Sequence, residues 1–161
     1  MIHKDRAAVK LRPFAPAHGD AAADVIHRST SAAYSFMTWT HSRQGTRAWF
    51  AAALEDWTQV WLAERDGRVV GVLCLQDDHI DQLFVDSGDQ RLGIGSQLIA
   101  KAFELCAGPI TLHTFQKNQA ARAFYEKHGF RAVDFGVSDA EGEPDVLYRL
   151  EPAERPQPDA P

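Results

Sequence analysis

The feature that most constrains this chain is a change of period at one glycine-rich turn. Between residues 60 and 86, apolar side chains come in short runs broken at Asp66-Gly67 and Asp77-Asp78. That is the pattern of strands joined by tight turns, an antiparallel meander. From Ile94 the apolar positions are Ile94, Leu98, Ile99, Ala102, Phe103 and Cys106, which is helical spacing. The switch falls in Gln90-Arg91-Leu92-Gly93-Ile94-Gly95-Ser96. A strand that enters a helix through two glycines leaves the first helical amides without internal partners.

The rest of the chain reads around this turn. Strands are expected over 9–14, 60–64, 68–76, 79–86, 110–114, 130–136 and 146–150. Helices are expected over 17–28, from a Thr46 cap through 57, over 94–106 up to Gly108-Pro109, and over 119–128 behind an Asn118 cap, with Gly129 as the stop. Residues 29–45 mix aromatics with small polar residues and carry no periodicity. The segment 79–114 is a strand, helix and strand that can form a parallel crossover, which places a ligand at the carboxyl ends of its strands. The fold class is therefore α/β in the α+β sense: one domain, residues 1–150, with a mixed, mostly antiparallel sheet flanked by helices. Residues 151–161 hold four prolines and little that is apolar, and read as a disordered tail.

Composition removes several function classes. A length of 161 residues suits one domain. The net charge of −5 argues against a general nucleic-acid binder, which carries a basic excess. No run approaches the roughly 20 apolar residues of a membrane span, and residues 1–10 are charged, without a signal-type apolar stretch. A cytoplasmic protein is the expectation, with no nucleic-acid or membrane partner. Cys74 and Cys106 sit in apolar runs without metal or disulfide spacing, so both read as buried structural thiols.

The glycine loop has its own chemistry. Free amides and the helix dipole favour an anion, and a phosphate is a natural occupant. Gly93 and Gly95 remove side chains that would keep a diphosphate from the backbone, and Ser96 adds a hydroxyl. The loop lacks the Gly-Lys-Ser/Thr ending of a nucleotide P-loop and the third glycine of the dinucleotide pattern. On these residues alone, a tight turn with glycines for packing stays open.

Gln90-x-x-Gly93-x-Gly95 after an apolar strand resembles the acetyl-CoA signature of the GNAT N-acetyltransferase superfamily. Downstream, Asn118-Gln119-Ala120-Ala121-Arg122-Ala123-Phe124-Tyr125-Glu126-Lys127-His128-Gly129-Phe130 resembles the second motif of the same family. The likeness is close over residues 60–136 and holds only in outline before that. It implies acetyl-CoA as co-substrate, with its pyrophosphate on the loop from Gln90 through Arg91, Leu92, Gly93, Ile94 and Gly95 to Ser96. It also implies that the backbone at Phe84 and Val85 pairs with the pantetheine amide, that Asn118 bonds the pantetheine arm, and that Tyr125 lies near the thioester sulfur. Arg91, Arg122 and Lys127 are candidates for the phosphates. Helix geometry agrees for Asn118 and Tyr125, which are seven residues apart, nearly two turns.

The implied reaction is direct attack of an amine on the thioester. A lysine-like amine has a pKa near 10 and must lose a proton, and the departing thiolate must gain one. Tyr125 fits the acid. For the base, simple alternation puts His79, Asp81, Leu83 and Val85 on one strand face. Histone-acetyltransferase-like members of the family carry a glutamate six residues before the position of Val85, where this chain has His79. That departure leaves His79 and Asp81 as the candidate bases, while His113 on the next strand reads as structural. The acceptor side falls to residues 29–49, with Tyr34 and Trp39 as the leading pocket residues beside Phe36, His41 and Trp49. The acidic segment 139–145 can attract a cationic amine. A non-catalytic acyl-CoA-binding module and a protein-interaction domain are the alternatives. The acceptor can be a small molecule or a peptide, and the assembly a monomer or a homodimer.

Overall fold

The computed structural model describes residues 8–34 and 42–156. In chain order its elements are β1 (Lys10–Pro13), α1 (Gly19–Ala33), α2 (Arg43–Ala53), β2 (Gln59–Arg65), β3 (Arg68–Gln76), β4 (His79–Val85), α3 (Ile94–Leu105), β5 (Ile110–Phe115), α4 (Gln119–Lys127), β6 (Arg131–Val137) and β7 (Pro144–Leu150). The strands form one sheet in the order β1-β2-β3-β4-β5-β7-β6. Every neighbouring pair is antiparallel except β4 and β5, the expected parallel crossover through α3. The mixed, mostly antiparallel sheet with flanking helices is thus the observed fold. No helix among the described residues is long and apolar enough to cross a membrane.

Local chemistry explains the meander. Asp66 and Gly67 both take left-handed φ, +54° and +72°, as a two-residue hairpin between right-twisted strands requires. Two helices differ in their boundaries from the sequence reading. α2 is capped by Ser42, whose Oγ accepts the Gly45 amide at 3.0 Å. Thr46 lies a full turn inside, its hydroxyl donating back to the Ser42 carbonyl. α2 also stops at Ala53, so Trp57 is free to join the core. α1 continues to Ala33, and the hydroxyl of buried Thr30 is satisfied by the Ile26 carbonyl four residues back.

The sheet separates two apolar layers. On one face α3, α4 and the turn after it pack Leu98, Ile99, Tyr125 and Phe130 against Leu73, Ile80 and Tyr148. On the other, α1 and α2 pack Val25, Ile26 and Phe50 against Leu62, Val72 and Cys74. Cys74 and Cys106 are both buried free thiols. Charge also fixes α2 on α1. Asp24, 9% exposed, receives Arg47 at 2.9 and 2.8 Å and Arg43 at 3.2 Å. The Arg47 bond, followed by that of Arg43, holds the Asp24 carboxyl down at about 2 against the opposing effect of burial.

The chain does not leave the domain at residue 151, where the tail was expected to begin. Pro152–Glu154 form a short 3-10 turn. Arg155 then donates to the carbonyls of Phe103, Cys106 and Gly108 at 2.8, 2.6 and 3.0 Å. These are the loose carbonyls at the end of α3, which an arginine satisfies well. Low hydropathy marked this segment as unable to build a core, and the bonds that hold it come from backbone acceptors elsewhere in the fold.

Two stability predictions follow from these contacts. Gly129 has φ +94°, and a Cβ there would meet the Glu154 carbonyl oxygen at 3.1 Å. Gly129→Ala should cost about 1–3 kcal/mol, read as a lowered melting temperature; an unchanged one would refute the account. The Asp24 carboxyl has a depressed pKa in the folded state, so its contribution is present above pH about 4 and is lost as pH falls toward about 2. Asp24→Asn should lower stability at neutral pH and flatten its dependence between pH 4 and 2, measured by urea unfolding at each pH.

Candidate active site

The site begins where the parallel pair fails. β4 and β5 share two register pairs, His79 with Thr111 and Ile80 with Leu112, and then separate. On the other side of β4, Cys74 pairs with Gln82 and Leu75 with Ile80, so Asp81 is an extra residue, a bulge. The bulge bends β4 away from β5 and opens a cavity of about 1670 Å³ between them. Its walls come from β4, β5, the glycine loop, α4, the end of α1 and the segment after β6.

The bulge also changes which side chains share a face. Leu83 and Val85 pack with the α3 layer, as does Ile80, three residues before Leu83. Phe84 belongs to the α1 and α2 layer. Asp81 accepts the indole N–H of Trp57, a member of that second layer, at 2.7 Å. His79 pairs with Gln76 in register while its neighbour Ile80 faces α3. His79 and Asp81 therefore stand on the opposite face from Leu83 and Val85, because simple alternation does not survive an inserted residue.

Backbone direction refines the expected pantetheine contact. The Asp86 amide donates to the Val70 carbonyl at 2.8 Å. By antiparallel alternation Phe84 then turns its peptide group toward β3, while Leu83 and Val85 turn theirs toward the opening. The Val85 carbonyl accepts Gln90 Nε2 at 3.2 Å and Ser29 Oγ at 3.3 Å. Leu83, which no motif marked, borders the opening, and Gln90 reaches back to the strand that precedes its loop.

The loop itself is held open and electropositive. Arg91 and Gly93 both take left-handed φ, +66° and +79°. Gly93 is the N-cap of α3 and has no side chain to satisfy the amides behind it. The first helical bond runs from Gln97 to Gly93, so the amides of Ile94, Gly95 and Ser96 lie before the ladder begins. Leu92 points into the core and anchors the turn. Two buried carboxylates brace the approach. Asp86 takes a bidentate bond from Arg28 at 2.9 and 2.7 Å, and Asp89 takes Arg65 at 3.0 Å with Arg68 at 3.6 Å. No sequence motif marked these pairs, since their partners lie 24 and 58 residues away.

Gly95 is where α3 meets α4: a Cβ would come within 3.1 Å of the Phe124 ring. One residue on, Ser96 Oγ is 2.9 Å from His128 Nε2, and His128 Nδ1 is 2.7 Å from the Phe124 carbonyl. A carbonyl only accepts, so Nδ1 is the donor to Phe124.

On α4, Asn118 caps the helix, its Oδ1 accepting the Ala121 amide at 3.1 Å, and it also lines the cavity. Tyr125 lines the cavity too, although it is only 7% exposed, and its hydroxyl bonds none of the described residues. Burial first, then the nearby Tyr34, pushes the Tyr125 hydroxyl well above the ordinary tyrosine range. Tyr34 at the end of α1 lines the same space, packs edge-on against Phe115 at 5.0 Å, and is pushed up to about 12 mainly by burial. Arg122 points elsewhere. Its Nε donates to the buried Tyr148 hydroxyl at 3.0 Å, and Tyr148 in turn donates to Glu126 at 2.6 Å. A fully buried phenol needs partners, and it claims this arginine. Trp39, with Phe36 and His41, lies outside the described residues.

The cavity is divided by charge. Arg91 and Lys127 line it beside the glycine loop, where Asp89 is paired with Arg65 and Arg68, while Asp134, Asp139, Glu141 and Asp145 line it along β6, β7 and the segment between them, together with Lys117.

Comparison with known proteins agrees with this architecture. The chain is 27% identical over 146 residues to the peptidyl-lysine N-acetyltransferase YjaB of Salmonella typhimurium, covering 88% of this chain and 97% of that one. The solution structure of apo YjaB from Escherichia coli superposes with a TM-score of 0.74 at 23% identity, covering 88% of this chain and 97% of that one. The structure of yncA from Salmonella typhimurium, solved with acetyl-CoA, gives a TM-score of 0.69 at 17% identity over 96% of this chain and 99% of that one. The profile of the acetyltransferase (GNAT) family matches residues 24–130. A braced loop of free amides beside a parted parallel pair, within a sequence that fits this profile, makes the chain a member of the acetyltransferase (GNAT) family.

Proposed function

We propose that the chain transfers the acetyl group of acetyl-CoA to the primary amine of a cationic acceptor by direct attack, and that the acceptor is a lysine side chain in a peptide. The observation that carries the reading is the charge division of one cavity. Free amides, Arg91 and Lys127 face its loop end, where the Asp89 charge is offset by Arg65, and four carboxylates face the other, against Lys117, which is itself paired with Glu143. A diphosphate and an ammonium have opposite needs, and each end suits one of them. The name carried by YjaB supports the peptide acceptor.

The residues fit the donor. The amides of Ile94, Gly95 and Ser96 are free for the pyrophosphate, and Gly95 already touches Phe124, which leaves no room for a larger residue. The separated edge of β4 offers the Leu83 peptide group and the Val85 amide to an extended chain, as an added strand would use them. Asn118 borders the same space with its amide NH2. The thioester supplies an activated acetyl group, and the protein must bind, orient and move protons. Tyr125 stays protonated at neutral pH because burial disfavours its anion, so it holds a proton for the departing sulfur. Burial pushes the Cys74 thiol far up and the Cys106 thiol up to about 11, which suits direct transfer without a cysteine nucleophile.

Gly95→Glu should raise the acetyl-CoA dissociation constant at least tenfold, about 1.4 kcal/mol, in calorimetry on protein with a native circular dichroism spectrum. Unchanged affinity would remove the loop from the cofactor site. Tyr125→Phe should bind acetyl-CoA as the parent does but turn over roughly 10²-fold more slowly. The deficit should shrink with an acyl donor whose thiol is more acidic. Equal turnover of the two proteins would eliminate the tyrosine as acid.

A further inference from the structure

We infer that His113 is the base that takes the proton from the acceptor amine, and that His79 is a positioning residue behind it. The inference rests on the amine-acetyltransferase reading above.

The first argument is access. The sequence alone favoured His79 or Asp81 on β4. His79 is half-buried and is not among the residues that line the cavity, and its Nδ1 is engaged by Thr111 Oγ1 at 2.7 Å. Asp81 reaches the cavity, but one carboxylate oxygen is held by Trp57. His113 is exposed and lines the cavity.

The second argument is position. Thr111 and Leu112 make the last pairs with β4, so His113 is the first β5 residue past the point of separation. It stands opposite the Asp81 bulge, where the opening begins. Ile110 and Leu112 face the α3 layer. By alternation Thr111 and His113 face the other way, toward α1 and α2. Tyr125 comes from α4, on the α3 side. Base and acid thus approach the parted strands from opposite faces of the sheet, which keeps the two proton-handling groups apart.

The third argument is the pairing of the two imidazoles, whose ring centroids are 5.4 Å apart. Two cations at that distance repel, so the pair resists holding two protons. Burial, and then His113, lower the pKa of His79. A neutral His79, fixed by Thr111, stands behind His113 without placing a second charge beside it. The same sheet face also presents Asp81 from β4, Asp145 and Arg149 from β7, Asp134 from β6 and the Tyr34 hydroxyl from the end of α1. Arg149 is paired with Glu151 and its register partner Arg131 with Glu154, each at 2.6 Å, so the unpaired charge of the face is acidic and suits an incoming ammonium.

In the step proposed, the ammonium gives one proton to the free imidazole nitrogen of His113. The amine nitrogen then bonds to the acetyl carbon, the carbon–sulfur bond breaks with its electron pair on sulfur, and Tyr125 protonates the thiolate. His113 passes that first proton to solvent, takes the second proton that leaves the nitrogen as the amide forms, and returns it through solvent to the tyrosine oxygen, so that both groups are reset.

The test measures thiol release from acetyl-CoA across pH 5.5 to 10, with a short peptide holding one internal lysine and, in parallel, cadaverine. His113→Gln should lower kcat/KM about 10²-fold or more near pH 7 and abolish the acid limb of the profile. Its deficit should narrow as pH approaches the amine pKa of about 10, while acetyl-CoA affinity by calorimetry stays unchanged. His79→Gln should lose less than about tenfold and keep an acid limb with a displaced midpoint, which a purely structural role would not move. Should His113→Gln fail to fold, His113→Asn carries the same expectation. Parent-like kcat/KM and limb in a folded His113 variant would overturn the assignment, as would loss of the limb on replacing His79 alone. A parent protein that binds acetyl-CoA yet acetylates neither amine tells against the transferase reading itself, and the inference falls with it.

Discussion

The inserted residue in β4 is the constraint on which the rest of the site depends. A parallel pair kept in register to its end would close the sheet and leave only a surface groove. Asp81 interrupts the ladder after two pairs, and β4 and β5 diverge from there. The bulge is stabilised on its own side, because Asp81 receives the Trp57 indole N–H and Trp57 packs beneath it. Bulges are commonly found where a sheet must re-aim a side chain or end its pairing, and here one bulge does both.

Opening a sheet exposes backbone groups and loosens the loop that follows, and buried charge offsets this. Asp86 and Asp89 lie just before the glycine loop, each almost wholly buried and each paired with arginine from another element. Removing one partner would leave a buried carboxylate uncompensated, which is far costlier than losing an exposed pair. The Arg28–Asp86 bond ties α1, whose end lines the cavity, to the end of β4 just before the glycine loop. Asp24 on α1, with Arg43 and Arg47, ties α2 to α1 in turn. The two halves of the cleft are therefore fixed to each other by charge as well as by apolar packing.

The sequence by itself determined most of the architecture. The period change at Gly93 and Gly95, the Asp66-Gly67 hairpin and the Asn118 cap are local instructions. They produced the elements expected, the parallel crossover among them, because each depends on residues a few positions apart. The free amides at the start of α3 were legible for the same reason. Tertiary structure alone decided the faces of β4, the route of residues 151–156, the diversion of Arg122 to Tyr148, and the placing of His113 rather than His79 at the cavity. Alternating polar residues at Thr111 and His113 hinted at a solvent-facing side of β5, but strand period cannot say where its neighbour departs. Those outcomes turn on one unpaired residue and on partners far along the chain, and a bulge or a buried ion pair has no period. A repeating pattern records which side of an element is buried, while pairing across the sheet determines what that side meets.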